Sequence, residues 1–186
     1  MHPNGKFLYT VEEGTPDKEL IVPYAIVRRL TDEKDGTLGQ PVTETTYHLD
    51  GDVHANDCNL LILEFNTSGT AMYDVVSCTG ADGTSDETYY ERSVDSQTGA
   101  LGPDQQIYTW NYVNGDGQEN IQFVNNLMFD FGNADFPPRD WVNIYQVKPN
   151  VTTPLVNCTS SMWAVCGGFY RCAPASVGQV CFSVSI

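Results

Sequence analysis

The sequence predicts an all-β protein built from consecutive four-stranded antiparallel meanders. Two observations lead to this fold class. Short runs of β-branched and aromatic residues alternate with clusters of Gly, Asn, Asp and Pro, as in strands joined by turns, and no segment keeps a helical period. The same order of turns and strands also recurs along the chain, which indicates a repeated supersecondary unit.

The first copy begins at a Pro-Asn-Gly turn, because Asn and Gly tolerate the left-handed backbone that hairpin turns need. Strands are predicted after it at 6–12, 20–30 and 41–48. A turn of this kind normally joins two strands, yet no strand precedes this one in the sequence. We therefore expect the chain to open inside a repeat whose first strand is absent.

The second copy supplies the strand that copy one lacks, with strands predicted at 60–65, 71–78, 88–94 and 105–113. Its turns match those of the first copy. PNGKFLYTV (3–11) corresponds to TSGTAMYDV (67–75), and TDEKDGTLG (31–39) corresponds to VDSQTGALG (94–102). A third, more divergent copy has predicted strands at 121–124, 127–131, 141–147 and 154–162, and VGQVCFSVSI at 177–186 is expected to form a last strand.

These units divide the chain, as one region spanning 1–186, into repeat one (1–56), repeat two (57–120), repeat three (121–166) and a Cys-rich C-terminal strand region (167–186). Four strands in roughly 60 residues is the pattern of a β-propeller blade. Three units are fewer than the four to eight blades or so that close a ring, so we predict an incomplete ring. The chain is then expected to be a fragment of a longer propeller; the alternatives are a half-propeller that closes by association and a decayed copy whose strands repack as an open sheet or solenoid.

The cysteines give a register prediction for repeat two. If its first hairpin turns about Ser68, Cys58 faces Cys78, and we predict a cross-strand disulfide between them, with two buried free thiols as the alternative. The same register predicts two further cross-strand pairs: Phe65 with Ala71 and Leu63 with Tyr73. The connectivity of the other four cysteines stays open: Cys158, Cys166, Cys172 and Cys181.

Composition and short motifs limit which binding partners and which cellular compartment we expect for the chain. The net charge is −15 with only nine basic residues, which disfavours nucleic acid and anionic membranes, and no apolar run approaches the about 20 residues that span a bilayer. The even number of cysteines and the sequons at Asn66, Asn150 and Asn157 predict an extracellular glycoprotein, with a cytoplasmic protein as the alternative. No C-x-x-C pair or other metal motif occurs, so neither metal nor cofactor is predicted.

Three stretches resemble a known family: HPNGKFLYTVEEG, SVDSQTGALG and MFDFGNADFPPRDWVNIYQV. They are similar to repeats of the lactonase-type seven-bladed β-propellers, which include 6-phosphogluconolactonase-like and carboxymuconate cyclase-like enzymes. The cysteines and sequons make the chain most similar to the secreted fungal branch. The resemblance implies cofactor-free chemistry on a small cyclic ester, carried out by His, Arg and Glu side chains at a channel mouth.

The resemblance yields few catalytic residues. Asn59 and Leu61 occupy the positions of the family's His-Pro-His element, and neither can act as an acid or base. The candidates are His54, which lies nearby but out of register, and Asp130 and Asp135 in DFGNAD, which resembles the family's Asp-Leu-Gly-x-Asp element with one residue inserted. The structural interpretation of DFGNAD is a capped turn.

The small number of candidate catalytic residues and the incomplete ring favour a non-catalytic or catalytically incomplete extracellular module. Such a module would bind a small lactone or a glycan, or would have a structural role. The alternative function is a cofactor-free lactonase or muconate-cyclase-like enzyme acting on a small cyclic ester. Residues 6–12 are expected to form an exposed apolar edge strand, so self-association through unpaired edge strands is a further prediction.

Overall fold

The computed structural model describes residues 1–32, 35–52, 56–112, 118–124, 126–135, 138–161 and 171–174. Within these ranges all regular secondary structure is β-strand, and each strand pairs antiparallel to its neighbour. The predicted all-β class and its consecutive antiparallel meanders are therefore confirmed. The chain divides into two compact units, Met1–Tyr112 and Val113–Ile186.

Unit 1 contains seven strands, hydrogen-bonded in sequence order: β1 (Phe7–Glu13), β2 (Ile21–Leu30), β3 (Val42–Asp52), β4 (Asn56–Phe65), β5 (Ala71–Gly80), β6 (Ser85–Val94) and β7 (Leu101–Tyr112). Each predicted strand of repeats one and two has a counterpart among them. β4 and β7 each begin four residues before their predicted starts at 60 and 105. The extension of β4 is what brings Cys58 into the sheet.

Unit 2 contains a five-stranded sheet in the order β12-β11-β10-β9-β8. Its strands are β8 (Gln118–Val124), β9 (Leu127–Asp135), β10 (Pro138–Gln146), β11 (Val156–Ser161) and β12 (Arg171–Pro174). The four predicted strands of repeat three correspond to β8 to β11. β12 was not predicted, and the strand predicted at 177–186 lies outside the described residues.

The sheet of unit 1 folds into two layers that lie face to face. Layer 1 is β1–β3 and layer 2 is β4–β7, joined where Gly51 pairs with Asp57 and Asp52 pairs with Asn56. Alternate side chains point to the same face of a strand, so one apolar face of each layer is buried against the other. This core consists of Phe7, Tyr9, Val22, Tyr24, Ile26, Leu60, Met72 and Val94.

Layer 1 and the last three strands of layer 2 are structural repeats of each other. The turns before β1 and β5 are closed by the same two backbone hydrogen bonds, from His2 to Phe7 and Gly5 to His2 in layer 1, and from Asn66 to Ala71 and Gly69 to Asn66 in layer 2. The turns before β3 and β7 match in the same way, with bonds from Asp32 to Thr37 and Gly36 to Asp32, and from Asp95 to Ala100 and Gly99 to Asp95. The predicted correspondence of both turns is confirmed.

The turns before β2 and β6 also match, and they expose one difference between the copies. Leu20 donates to the carbonyl of Asp17, and Gly83 donates to that of Gly80. Both donors have a left-handed backbone, with φ of 62° at Leu20 and 80° at Gly83. A side chain is strained in this region and glycine is not, so layer 1 carries a local strain that layer 2 avoids.

The register around the cysteines is confirmed. Cys58 and Cys78 are cross-strand partners, and their sulfur atoms lie 2.12 Å apart, at disulfide-bond distance. Among the other cysteines, the backbones of Cys158 and Cys172 pair between β11 and β12, whereas Cys166 and Cys181 lie outside the described residues.

The predicted register is wrong nearer the turn. The turn closes with Asn66 opposite Ala71, so Phe65 pairs with Met72 rather than Ala71, and Tyr73 pairs with Glu64 rather than Leu63. A bulge between Ile62 and Glu64 then adds one residue to β4 and restores the predicted register at Cys58. The extra residue turns Phe65 to the same face as Ile62, where its ring lies 5.3 Å from that of Tyr9 in layer 1.

Candidate functional site

Opposite charges from facing strands meet between the two layers of unit 1. The Arg28 Nε lies 2.6 Å from a carboxylate oxygen of Glu44, and both side chains are largely buried. The other oxygen of Glu44 accepts the backbone N–H of Leu101 in layer 2 at 2.9 Å. Because β3 bulges opposite Ile26 and Val27, Glu44 is its unpaired residue, and the Glu44 side chain reaches across to layer 2.

A second charged group, the Asp74 cluster, comprises Tyr47, Asp74, Arg92 and Asp104. The Arg92 Nε lies 3.0 Å from an oxygen of Asp74, and the two side chains are 3% and 0% exposed. The Tyr47 hydroxyl accepts from Arg92 and donates to the second oxygen of Asp74 at 3.2 Å. Asp104, which is 46% exposed, lies 3.6 Å from Arg92. Every charge in the cluster therefore has an internal partner.

Burial controls protonation at the interface of the layers. It raises the pKa of Asp74 above its ordinary value, and the Arg92 guanidinium and the hydrogen bonds from Arg92 and Tyr47 offset only part of the rise. Burial and the nearby Asp74 also raise the pKa of Tyr47. Tyr9, whose hydroxyl donates to the carbonyl of Gly99, has its pKa raised to about 12 by burial. These tyrosines are neutral donors at physiological pH.

Residues of layer 1 pack closely against two turn glycines of layer 2, Gly69 and Gly99. His2 is buried, and its Nδ1 accepts the backbone N–H of Asn4, so its Nε2 carries the proton and donates to the carbonyl of Gly69 at 2.7 Å. A Cβ on Gly69 would lie 2.6 Å from the His2 ring, and one on Gly99 would lie 2.8 Å from the Phe7 ring. Glycine is therefore needed at both points of close approach.

A cavity of about 550 Å³ opens beside these turns on layer 2. We call it the Glu91 cavity; its polar lining residues are Asn66, Thr70, Glu91, Ser93, Asp104 and Gln105, with Ala71 as an apolar part of the wall. The lining thus provides two carboxylates, two amides and two hydroxyls. Its volume lies within the range of about 300–1,000 Å³ that is typical of small-molecule sites.

Glu91 is a half-buried titratable group in the wall of this cavity. The Tyr73 hydroxyl forms a hydrogen bond with the Glu91 carboxyl. Burial raises the pKa of Glu91 more than this hydrogen bond lowers it. No lysine or arginine in the described ranges lies within ion-pair distance of Glu91. Among the described residues, this half-buried carboxyl therefore has a hydrogen-bond donor but no cation beside it.

Of the residues predicted from sequence as catalytic, Asp130 and Asp135 belong to unit 2. His54 lies outside the described residues. In unit 2, Asp130 is buried and accepts hydrogen bonds from the Trp141 indole at 2.7 Å and the Asn143 amide at 2.8 Å. Asp135 ends β9, where its backbone pairs with Pro138. The capped turn predicted for DFGNAD is wrong: residues 130–135 lie within β9, and Asp130 pairs with Asn143 of β10 and with Ile121 of β8.

The three candidate glycosylation sites differ in how firmly their side chains are held. The carbonyl oxygen of Asn66 accepts from the backbone of Thr70 and Ala71, so this side chain closes the turn between β4 and β5. Asn150 is exposed, and Asn157 is exposed with its amide donating to Asn143 at 2.6 Å. Glycosylation itself stays a prediction at all three positions.

The Glu91 cavity was missed at the level of sequence, although a signal for it was present. The cavity arises where the two copies differ: Ala71 stands where layer 1 has Phe7, and Glu91 stands where layer 1 has Arg28. Aligning the copies residue by residue beyond their turns would have located both differences. The family resemblance instead indicated positions 54, 130 and 135.

Comparisons of the chain with protein-family models, with curated proteins and with solved structures find no match. The described ranges contain no group of three or more His, Cys, Asp or Glu side chains that could hold a metal ion. Nor do they contain a helix long and apolar enough to cross a membrane. The fold and the site define an all-β protein with two stacked, repeated antiparallel layers in unit 1 and an acidic cavity on the second layer.

Proposed function

We propose that the chain is a propeller-type extracellular module, of the lactonase-like kind, that binds a ligand without turning it over. Propeller blades are four-stranded sheets that pack face to face in the same sense. Layer 2 has four strands and layer 1 repeats its last three, with Phe7 and Tyr9 of layer 1 facing Gly99 of layer 2. This head-to-tail relation supports the proposal of blades.

The two faces of layer 2 support it further. Met72 and Val94 belong to the core shared with layer 1. Tyr73 and Val75 lie at the alternate positions of β5, which point to the opposite face, and they are also buried. A sheet that is apolar on both faces suits an internal blade, whereas an isolated two-layer sandwich needs only one apolar face per sheet.

The negative charge of the Glu91 cavity is the observation that favours binding over catalysis. Opening a lactone places negative charge on the carbonyl oxygen in the transition state, and an enzyme stabilises it with hydrogen-bond donors or cations. The described lining residues include Glu91 and Asp104 but no His, Lys or Arg. The guanidinium of Arg92, which lies 3.6 Å from Asp104 of this lining, is also bound to Asp74. Carboxylates in this position would raise the barrier to ring opening.

The test is a panel of five- and six-membered lactones incubated with the purified chain and with the variant Glu91→Gln. We expect hydrolysis at the rate of buffer alone for both proteins. Turnover by the unmodified chain that is lost in Glu91→Gln would overturn the binding proposal. In parallel, neutral oligosaccharides and lactones are titrated against the ¹⁵N-labelled chain, and amide shifts at 66–71, 91–93 and 103–105 are expected for a ligand of this cavity.

One observation favours the enzyme alternative. A half-buried carboxyl with a raised pKa is the type of group that acts as a general base near neutral pH, and Glu91 lines a cavity of suitable size. A lactonase using it would lose activity as the pH falls through the pKa of Glu91. The lactone panel therefore includes a pH series, and activity that rises with pH only when Glu91 is present identifies the enzyme.

The extracellular location is proposed on the Cys58–Cys78 bond, since disulfides persist in oxidising compartments. Peptide mapping of the protein from its natural source, without reduction, tests this directly. A Cys58–Cys78 peptide pair and a glycan on Asn150 or Asn157 are expected. Free thiols at both cysteines and unmodified sequons would contradict an extracellular protein.

A further inference from the structure

The repeat in unit 1 provides an internal comparison for the Glu91 cavity. In layer 1, Phe7 fills the corresponding space, and the Arg28 guanidinium lies 5.7 Å from the centre of the Phe7 ring. Arg28 also forms the ion pair with Glu44. This region of layer 1 is therefore occupied by an aromatic ring and a cation, both supplied by the chain itself.

Layer 2 lacks each of these groups at the matching positions. Ala71 accepts the turn hydrogen bond that Phe7 accepts in layer 1. Glu91 lies across from Tyr73 as Arg28 lies across from Tyr9. The bulged residue that corresponds to Glu44 is Ile107, which is fully buried. Layer 2 thus has an open volume and a carboxylate where layer 1 has a ring and a guanidinium.

We propose that the Glu91 cavity binds an organic cation carrying a guanidinium or primary ammonium group, which occupies the place that Arg28 fills in layer 1. The inference rests on the proposed binding function and names its ligand class. Glu91 forms the ion pair, and the exposed carboxylate of Asp104 is a second acceptor in the lining. Ser93 and Gln105 offer further oxygen acceptors for a group that carries several N–H donors.

Charge and solvation favour a cation in this cavity. The Glu91 carboxyl is half-buried, so water solvates it poorly, and the Tyr73 hydroxyl is its internal hydrogen-bond partner. A bound guanidinium would restore the solvation that burial removes and would hold Glu91 ionised. The net charge of −15 also attracts cations over long range and repels anionic ligands.

Two sources can supply this chemistry: a free small cation, or the arginine or lysine side chain of a peptide. The cavity is open to solvent on layer 2, so the experiment has an arm for each source. Methylguanidinium represents the free cation, and acetyl-Gly-Arg-Gly-amide represents the side chain. Tighter binding of the peptide by about tenfold or more indicates a peptide ligand, and equal affinities indicate a small cation; either result supports the proposal.

The titration follows amide shifts of the ¹⁵N-labelled full chain at constant ionic strength. We expect saturable shifts confined to 66–71, 91–93 and 103–105. Glu91→Gln keeps the shape of the side chain and removes its charge, so it should weaken binding about tenfold or more. Ala71→Phe restores the ring found in layer 1 and should abolish binding with no change of charge. Glu19→Gln, in the exposed turn after β1, removes the same charge elsewhere and should leave affinity unchanged.

The outcomes separate this inference from the proposed function. Equal affinity of Glu91→Gln and the unmodified chain, or unsaturable shifts spread over the acidic surface, would mean that the cation is only a counterion and would overturn the inference. A neutral sugar that shifts the same amides when methylguanidinium does not would overturn it as well, while leaving the binding function intact. Hydrolysis of a lactone that depends on Glu91 would overturn the binding function instead.

Discussion

Removing the cation of the Asp74 cluster should destabilise unit 1 more than any other single charge change in its described residues. Arg92→Met leaves Asp74, which is fully buried, with the Tyr47 hydroxyl as its remaining hydrogen-bond donor within the cluster. Breaking a buried ion pair from one side costs about 3–5 kcal/mol, because the remaining charge stays buried without compensation. That is a large part of the roughly 5–15 kcal/mol by which domains are stable, and it lowers the melting temperature by on the order of 10 °C.

The double variant Asp74→Leu/Arg92→Met tests whether the loss of stability comes from the unpaired buried carboxylate. It removes both charges, so no buried carboxylate is left unpaired, and Tyr47 keeps its contact with Asp104. Replacing a buried ion pair by apolar side chains of similar volume is often close to neutral. We therefore expect the double variant to recover most of the loss. Arg29→Met is the control, since Arg29 and Glu12 form an exposed pair whose loss should cost less than about 1 kcal/mol.

The assay is urea unfolding combined with peptide-resolved hydrogen exchange, which reports β5 and β6 separately from unit 2. The expected order of stability is unmodified chain and Arg29→Met, then the double variant, then Arg92→Met. Protection of β5 and β6 in Arg92→Met within about 1 kcal/mol of the unmodified chain would refute the reasoning. A double variant no more stable than Arg92→Met would refute it too.

Three further predictions concern unit 1. Cys58→Ser/Cys78→Ser should lower the free energy of unfolding by roughly 3 kcal/mol, measured by urea unfolding, and adding reductant should then have no further effect. Leu20→Gly should raise it by roughly 0.5–1 kcal/mol and Gly83→Leu should lower it by roughly 1–2 kcal/mol, because both positions need a left-handed backbone; equal effects of the two changes would contradict this. Glu91→Gln should gain stability relative to the unmodified chain as the pH rises. Burial places the folded-state pKa of Glu91 above the unfolded value of about 4.3, so the stabilisation from its protonated form is complete below about pH 4 and is lost as the pH rises through the folded-state pKa; a pH-independent difference between the two proteins would contradict it.

Much of the fold could be predicted because turns and alternation are local properties. The turns at Gly5, Gly69, Gly36 and Gly99 were predictable since each needs a left-handed residue that the sequence supplies as glycine. The Cys58–Cys78 pairing followed from counting outward from one turn. The count failed at Phe65, because the turn closes with Asn66 opposite Ala71 and is centred beyond Ser68. It succeeded at Cys58 because the bulge in β4, which places Phe65 against Tyr9 in the other layer, restores the register, and no local pattern encodes that contact.

The site was harder to predict than the fold. The Asp74 cluster joins side chains from β3, β5, β6 and β7, and its members are dispersed among other charged residues in the sequence. Their meeting depends on how layer 1 stacks on layer 2. The Glu91 cavity depends on a missing ring at Ala71, and an absent side chain leaves no motif. Both features are properties of three-dimensional stacking, which alternation and spacing along one strand do not determine.

The head-to-tail stacking of layer 1 on layer 2 is the central claim, and nuclear Overhauser effects test it most directly. The ring of Phe7 lies against the Cα of Gly99, and the ring of His2 lies against Gly69, although each pair is far apart in sequence. We predict strong cross-peaks from the Phe7 ring to the Gly99 Hα protons and from the His2 ring to Gly69, with upfield ring-current shifts of the glycine protons. Spectra that show the cross-strand contacts within β1–β3 and within β4–β7 but lack these two sets of cross-peaks would contradict the stacking.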